Sequence, residues 1–582
     1  MKIIVNGRTL DVAAGQDGNL YELLNRLGFH LDAPCGGGGR CGKCRVTIVN
    51  GGQPTDGEID LLDPGSIRDG IRLACATAVF DGMEVRFEQT DERLAHIVTA
   101  GNSVQYDFDP PVKEVGVELA PPQLSDQTAD LERLCAALGV KTLQPARETL
   151  RALPGVLRQG GWKVSAVIRG GMLLDLNPKN LCGVAADVGT TTLATYLLDL
   201  RSGAELAVAS SLNPQRKFGD DVISRCDYAR SGGLDELQKL VAAEINRLVE
   251  SMCAQARVNR EDVFQVTAAG NTVMMHLLAG ISPENIAQSP FIPAWTSSFD
   301  FQAVELGLEL NRSAVVSLLP CVAGYVGADT TAAMLAAGMR EDGDTVLLID
   351  IGTNGEIALS ASGRLFACST AAGPAFEGAQ ISCGMGGVTG AISQVKMDGG
   401  IQYRTIGGAV ASGICGSGLL DLIAGFLDVG AIDETGRIAA EGAPPGVEIV
   451  DGKLAVDKAR GIFVTQRDVR EVQLAKGAIA AGVEVLLREA GIVASDIRHV
   501  YLAGGFGSFM DKRSAGRIGL IPPELVQRTS AIGNGSGAGA KAALLSKAAM
   551  AEAERLAQAV RYVELSVRQD FQDAFVDKMM FY

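Results

Sequence analysis

Short apolar runs, each ended by glycine, Asn-Gly or proline, recur along the chain and divide it into strands with amphipathic helices between them. Residues 2–5 and 9–12 flank Asn6-Gly7 and predict a hairpin. Leu20, Leu23, Leu24 and Leu27 share one face of a short helix, and strands over 45–49 and 83–87 complete a first unit, residues 1–90. From 91 to 122 the periodicity weakens. Asp109-Pro110-Pro111 and Pro121-Pro122 bracket the alternating run 113–119, so 91–122 is expected to be a linker partly ordered against a neighbour. Helices over 126–138, with Ser125 as cap, and 146–157, followed by a strand over 163–168, predict a small middle α/β domain over 123–180.

The remaining residues, 181–582, repeat one phrase. A strand over 183–186 delivers Asp187, and Val188-Gly189-Thr190-Thr191-Thr192 turns the chain into a second strand over 193–200. A strand over 346–349 delivers Asp350, Gly352-Thr353-Asn354-Gly355 turns the chain, and Glu356 starts it back. Two such hairpins predict two similar α/β lobes facing one another, about 181–342 and 343–582. Glycine lets backbone N–H groups approach a phosphate, the hydroxyls add donors, and an Asp at each strand end can hold a hydrated Mg²⁺. The GxxxxGK[ST] phosphate loop is absent.

Other segments extend this pattern. A strand over 263–268 ends at Gly270-Asn271-Thr272, which suits either a ligand contact or a helix cap. The polar loop 211–225 is suited to reach towards a ligand or partner. Gly373 to Gly378 forms a turn that directs Glu377 towards the space between the lobes. Long amphipathic helices are expected over 237–252 and 468–491. A strand from His499 runs into Ala503-Gly504-Gly505-Phe506-Gly507, whose glycines leave room for a flat base or a ribose edge. Gly533-Asn534-Gly535-Ser536-Gly537 introduces a helix over 541–554. His276, on an apolar face, reads as a core or rim residue.

Composition narrows the function. A formal net charge of -16 over 582 residues argues against nucleic acid or an anionic membrane as partner. The longest apolar candidate, around 315–337, is interrupted by Asp329, and the start lacks a signal-peptide plan, so a cytoplasmic soluble protein is expected. Four scattered histidines do not suggest a His-rich metal site. Twelve cysteines are too few for a disulfide scaffold, but three of them, Cys35, Cys41 and Cys44, lie on a loop with five glycines, and Cys75 follows in a later segment. Four such thiols can surround a small inorganic cluster whose sulfides accept backbone N–H groups. Zinc is the alternative; an iron–sulfur cluster is preferred because zinc knuckles pair two Cys-x₂₋₄-Cys arms and the second arm here has only Cys75. Cys135 and Cys182 read as packing residues, and Cys368, Cys383 and Cys415 as packing or local functional thiols.

The first unit resembles the [2Fe–2S] ferredoxins. Five residues separate its first two cysteines, which is nearer the adrenodoxin-like branch than the plant type with four. The two Asp-Gly-Thr hairpins and the 503–507 glycines resemble the acetate kinase, sugar kinase, heat-shock 70 and actin superfamily, whose ATP lies between two lobes. The fused order of ferredoxin, linker, middle domain and ATPase resembles the reductive activators of corrinoid proteins, with likeness at 270–272, 373–378 and 533–537 as well.

That resemblance implies a β-grasp ferredoxin domain and a two-lobed actin/heat-shock-70-like ATPase. Its cofactors would be a [2Fe–2S] cluster on Cys35, Cys41, Cys44 and Cys75, together with ATP and Mg²⁺. It places Asp187, Asp350 and Glu377 in catalysis, with the two aspartates on Mg²⁺. Gly189, Thr190, Thr191, Gly270, Asn271, Gly352, Thr353, Asn354, Gly504, Gly505 and Gly507 would contact the nucleotide. It also implies a homodimer, a low-potential electron donor upstream and a corrinoid protein of a methyltransferase system downstream, reduced from Co(II) to Co(I). An ordinary ferredoxin faces an uphill transfer there, so a partner clamped free of its axial ligand, and released through ATP, is the expected logic. The other readings are an ATP-driven donor to a different metalloenzyme, a metabolite kinase with a redox-sensing ferredoxin, and a non-enzymatic assembly protein.

Overall fold

The structure, a computed structural model, describes residues 1–12, 19–27, 29, 31, 39, 42–87, 98–219, 221–439 and 444–582. Asn6 and Gly7 both take positive φ, 48° and 79°, as a two-residue hairpin turn requires, and pair Lys2–Val5 with Arg8–Asp11. The other edge of Lys2–Val5 pairs in parallel with Glu84–Arg86, and Arg45–Ile48 and Ile71–Leu73 complete a five-stranded sheet. The helix Leu20–Arg26 buries Leu20, Leu23 and Leu24 over Ile3, Val5, Val46 and Val85, the expected β-grasp arrangement.

The middle domain starts earlier than its composition suggested. The alternating run placed in the linker is the strand Val112–Glu118, paired along its length with Lys163–Arg169. Met172–Leu176 and Gln144–Pro145 extend that sheet, and the helices Asp130–Leu138 and Arg147–Gln159 close a core of Leu119, Leu134, Leu153, Leu157 and Leu173 over it. The first helix begins at Asp130 because Asp126 makes a turn instead, accepting from the Thr128 amide and the Arg133 guanidinium. Residues 98–109 are not a free tether. They run across the ATPase, and the expected linker residues 91–97 lie outside the described residues.

The two lobes repeat one topology. In the first, Cys182–Val188 is central, with Thr192–Asp199 and then Glu205–Leu212 antiparallel on one side. Val263–Ala269 and Val315–Leu318 lie parallel on the other side. In the second, Val346–Ile351 takes the central place, Gly355–Ala361 and Arg364–Thr370 follow on one side, and His499–Ala503 and Thr529–Gly533 on the other. The helices Leu234–Ala256 and Gln466–Ala490 cover their sheets with Val241, Ile245 and Val249, and with Val472, Ile479 and Val483.

The chain beyond Gly533 returns to the first lobe. Helices Gly535–Leu545 and Lys547–Ala559 pack in the core of the first lobe through Ala540, Leu544, Ala553 and Leu556. Small residues make this possible. A Cβ on Gly539 would lie 2.0 Å from the Ala332 carbonyl oxygen, so the helix Ala328–Ala336 is approached backbone to backbone.

Candidate functional site

Both strand–Asp–Gly–Thr turns open at the carboxyl ends of the central strands, where α/β sheets bind ligands. Asp187 is half-buried, and both its oxygens are engaged: Asn534 Nδ2 donates to Oδ2 at 2.8 Å and Ser536 Oγ to Oδ1 at 2.8 Å. Burial raises its pKa, and these two hydrogen bonds oppose that rise. Asp350 is pushed up to about 7, first by burial and then by the Asp329 and Asp187 carboxylates. Asp329 is raised by burial and by Asp187, and Glu356 by burial, Asp329 and Asp350. Each of these four acids thus raises the proton affinity of another or has its own raised by one. Among the described residues no three such side chains converge as a ready metal cage, so a cation here would keep much of its water or bind through a ligand.

Glu377 ends the short 3₁₀ turn Pro374–Glu377 and accepts from Thr353 Oγ1 at 3.0 Å, which ties it to the second phosphate-type turn. Burial raises its pKa, while Thr353 and the Arg216 charge lower it. Gly352 N–H closes its turn on the Asn354 carbonyl at 2.9 Å. Gly504, at φ +84°, abuts Asp350 so closely that a Cβ would sit 2.5 Å from Oδ1. Gly505 is open on its side-chain side apart from Val98, and Gly507 packs on Leu502. The glycines after Ala503 begin a helical turn, Gly504–Phe509.

The first turn is built from beneath. Asn271 Oδ1 caps the helix Thr272–Ala279 by accepting from the Met274 amide at 3.0 Å, and its Nδ2 donates to Thr190 Oγ1 at 2.8 Å. The cap reading of Gly270-Asn271-Thr272 thus holds, with the phosphate-type turn as second partner. A Cβ on Gly270 would meet the Val188 carbonyl at 2.5 Å. The polar loop 211–225, expected to reach towards a ligand or partner, packs under the first phosphate-type turn. Asn213 and Arg225 are buried; Asn213 Nδ2 donates to the Gly189 carbonyl at 2.8 Å and Arg225 Nη2 to that of Thr190 at 2.5 Å. The Thr191 carbonyl accepts from the Asn213 amide.

In the first unit, the Cys44 and Cys75 thiols lie 3.3 Å apart on neighbouring strand ends, with no disulfide between them. Buried Glu58 accepts from the Leu73 amide at 2.7 Å and steadies the segment carrying Cys75. Two thiols converging in this way fit a shared cluster. Cys35 and Cys41 lie outside the described residues. Cys368 and Cys415 are buried and separate, and Cys383 accepts from the Phe463 amide. His276 is a core residue: Nε2 accepts from the Ala294 amide, so Nδ1 carries the proton it donates to the Thr272 carbonyl, and Trp295 stacks on the ring. Burial lowers its pKa to about 4.

Asp329 and Glu356 were not among the expected site residues. Asp329 had the one available signal, a strand followed by glycines and an acid in the first turn of a helix.

Four family models match in order: a 2Fe-2S iron-sulfur cluster binding domain over 3–80, the RACo linker region over 101–183, the RACo middle region over 182–342, and the C-terminal, ASKHA domain of RACo over 344–582. The chain is similar to the corrinoid activation enzyme RamQ of Eubacterium limosum, 31% identical over 98% of this chain and 97% of that protein. The [Co(II) methylated amine-specific corrinoid protein] reductase of Methanosarcina barkeri is 28% identical over 58% of this chain and 66% of its own. The solved structure of a reductive activator for corrinoid, iron-sulfur protein is 33% identical, covers 100% of this chain and 98% of that chain, and has a TM-score of 0.75.

Proposed function

The chain belongs to the RACo family, and on that premise we propose that it is an ATP-dependent activator that reduces the Co(II) form of a corrinoid protein to Co(I) in a methyltransferase system. The observation that carries this is the joining, on one chain, of a thiol pair converging in a ferredoxin fold with two strand–Asp–Gly–Thr turns, the Asp187 carboxylate of one raising the proton affinity of Asp350 in the other. A ferredoxin alone has no use for the turns, and a metabolite kinase has none for the thiols.

Thr190, Thr191, Thr353 and Asn354 suit phosphate oxygens, and Gly504, Gly505 and Gly507 suit the nucleoside. Asp187 and Asp350 would hold Mg²⁺ through water and phosphate, since a cation offsets the burial that raises the proton affinity of both and the repulsion that adds to it at Asp350. Glu377, which accepts from Thr353 Oγ1, would orient a water at the phosphate side. Cys35, Cys41, Cys44 and Cys75 would hold the [2Fe–2S] cluster, which supplies one-electron chemistry. An upstream low-potential donor, a homodimer and a cytoplasmic setting belong to the same proposal. Among the described residues no helix is long and apolar enough to cross a membrane.

The test is Mg²⁺-dependent ATP hydrolysis by the cluster-loaded protein, with and without a corrinoid protein in the Co(II) form. Turnover that depends on Mg²⁺ and is stimulated by that partner supports the reading. Turnover stimulated instead by a small phosphoacceptor would replace it with a kinase.

A further inference from the structure

The segment that leaves the ferredoxin enters the ATPase at its nucleotide cleft. The Thr99 carbonyl accepts from Tyr196 Oη at 2.7 Å. The Ala100 carbonyl accepts from the Asn534 amide at 2.9 Å, and the Asn102 amide donates to the Ile532 carbonyl at 2.9 Å. Gly101 thereby pairs antiparallel with Gly533, at the end of the edge strand of the second lobe. Two residues on, the Val104 amide donates to the Ala336 carbonyl at 3.0 Å, and Tyr106 Oη donates to that of Leu335 at 3.2 Å, both on a helix of the first lobe. Within eight residues the segment touches first lobe, second lobe and first lobe again. Any rotation of one lobe against the other must stretch or release it.

The fit depends on two glycines meeting backbone to backbone. A Cβ on Gly101 would lie 2.3 Å from the Asn534 carbonyl oxygen, and one on Gly533, at φ +73°, 2.1 Å from that of Ala100. Neither neighbour is a flexible side chain that can yield. Asn534, held by Ala100, is the residue whose Nδ2 donates to Asp187 Oδ2.

We propose that residues 98–104 are a strap that positions the nucleotide site and reports its state to the ferredoxin: backbone pairing at Gly101–Gly533 seats Asn534 on Asp187, and lobe closure on nucleotide tightens the same pairing. The strap deepens the reading of Asp187 as part of the ATP site and rests on it. It gives the ferredoxin's own tether a direct mechanical connection to ATP, with no separate signalling element. Coupling between two sites requires a two-state element biased from both ends, and here that element is the lobe pair the strap bridges.

The test uses the full, cluster-loaded chain and a nonhydrolysable ATP analogue with Mg²⁺. Hydrogen exchange is followed for peptides covering 98–106, 187–192 and 350–356, and nucleotide affinity is measured by calorimetry. In the wild type, the analogue should slow exchange at 98–106 together with the two turns. Gly101→Ala should weaken nucleotide binding about tenfold, the value of one hydrogen bond to a charged group, and should uncouple 98–106 from the analogue. Tyr196→Phe keeps the ring and removes only the bond to Thr99. It should reduce the response of 98–106 and leave the melting temperature near that of the wild type, which serves as the check if Gly101→Ala folds poorly. Protection at 187–192 and 350–356 without any change at 98–106 would overturn the strap while sparing the nucleotide site. Wild-type affinity in a folded Gly101→Ala would overturn its positioning role. Absence of protection at all three segments would overturn the nucleotide-site reading, and the strap with it.

Discussion

The Lys43 ammonium donates to the Ile381 carbonyl at 2.7 Å, joining the residue beside Cys44 to a loop of the second ATPase lobe 338 positions later. The Gly384 carbonyl accepts from the same ammonium at 2.9 Å. Four residues before Ile381 stands Glu377, which touches the second phosphate-type turn through Thr353. The ferredoxin therefore docks on a loop that begins at the nucleotide cleft. Charge-assisted bonds of this kind, partly buried, are worth about 1–2 kcal/mol together, so Lys43→Glu should shift the ferredoxin towards undocked states. Small-angle scattering of the full chain should show a larger radius of gyration in that variant, while Lys43→Arg should stay close to the wild type. Equal radii would mean that the contact does not hold the domains together.

Cys44→Ala and Cys75→Ala should each destroy the cluster, because each removes one of the two thiols converging at 3.3 Å. Cys135→Ala and Cys253→Ala, in buried packing sites, should retain it. Iron and acid-labile sulfide analysis of anaerobically prepared protein decides the matter. About two of each per chain is expected for a [2Fe–2S] centre, and one zinc with no sulfide would contradict it.

Asp350 links function to stability. Its pKa rises from the ordinary carboxylate value to about 7 in the fold, so the folded protein binds a proton more tightly than the unfolded chain. Stability in EDTA without nucleotide should therefore fall as pH rises from about 4 to 7, and then level off. Asp350→Asn removes this cost. Its melting temperature should exceed that of the wild type at pH 8, with the gap closing towards pH 4, although Mg²⁺-dependent hydrolysis should be lost. A pH-independent difference would refute the assigned cause.

Glu377→Gln keeps an acceptor for Thr353 Oγ1 and removes the charge. If Glu377 orients water at the phosphate side, hydrolysis should fall about 100-fold, with nucleotide affinity nearly unchanged. A loss of affinity with unaltered turnover number would make it a binding residue only.

The sequence was most legible where the chain pattern is local. The Asn6-Gly7 hairpin, the repeated strand–Asp–Gly–Thr phrase and the leucine face at 20–24 carry their geometry in neighbouring residues. What escaped depends on contacts far apart in sequence. Arg225 closes a polar loop in the sequence, and only the fold carries it beneath Thr190. The helix from Gly535 reads as part of the second lobe until Gly539 meets Ala332 in the first. Glu356 looks like the first residue of a return strand, and only the approach of Asp329 and Asp350 makes it part of an acidic cleft. The strap at 98–104 has weak periodicity because its bonds are made with backbone groups, which no side-chain pattern records.

The central claim is tested most directly by anaerobic absorbance spectroscopy of a corrinoid protein in the Co(II) state, mixed with this chain, a low-potential reductant and Mg²⁺–ATP. Co(I) should accumulate only when every component is present. Cys44→Ala should abolish it with nucleotide binding intact, and Asp187→Asn should abolish it with the cluster intact. Co(I) formed equally fast without ATP, or by the Asp187→Asn variant, would contradict the account.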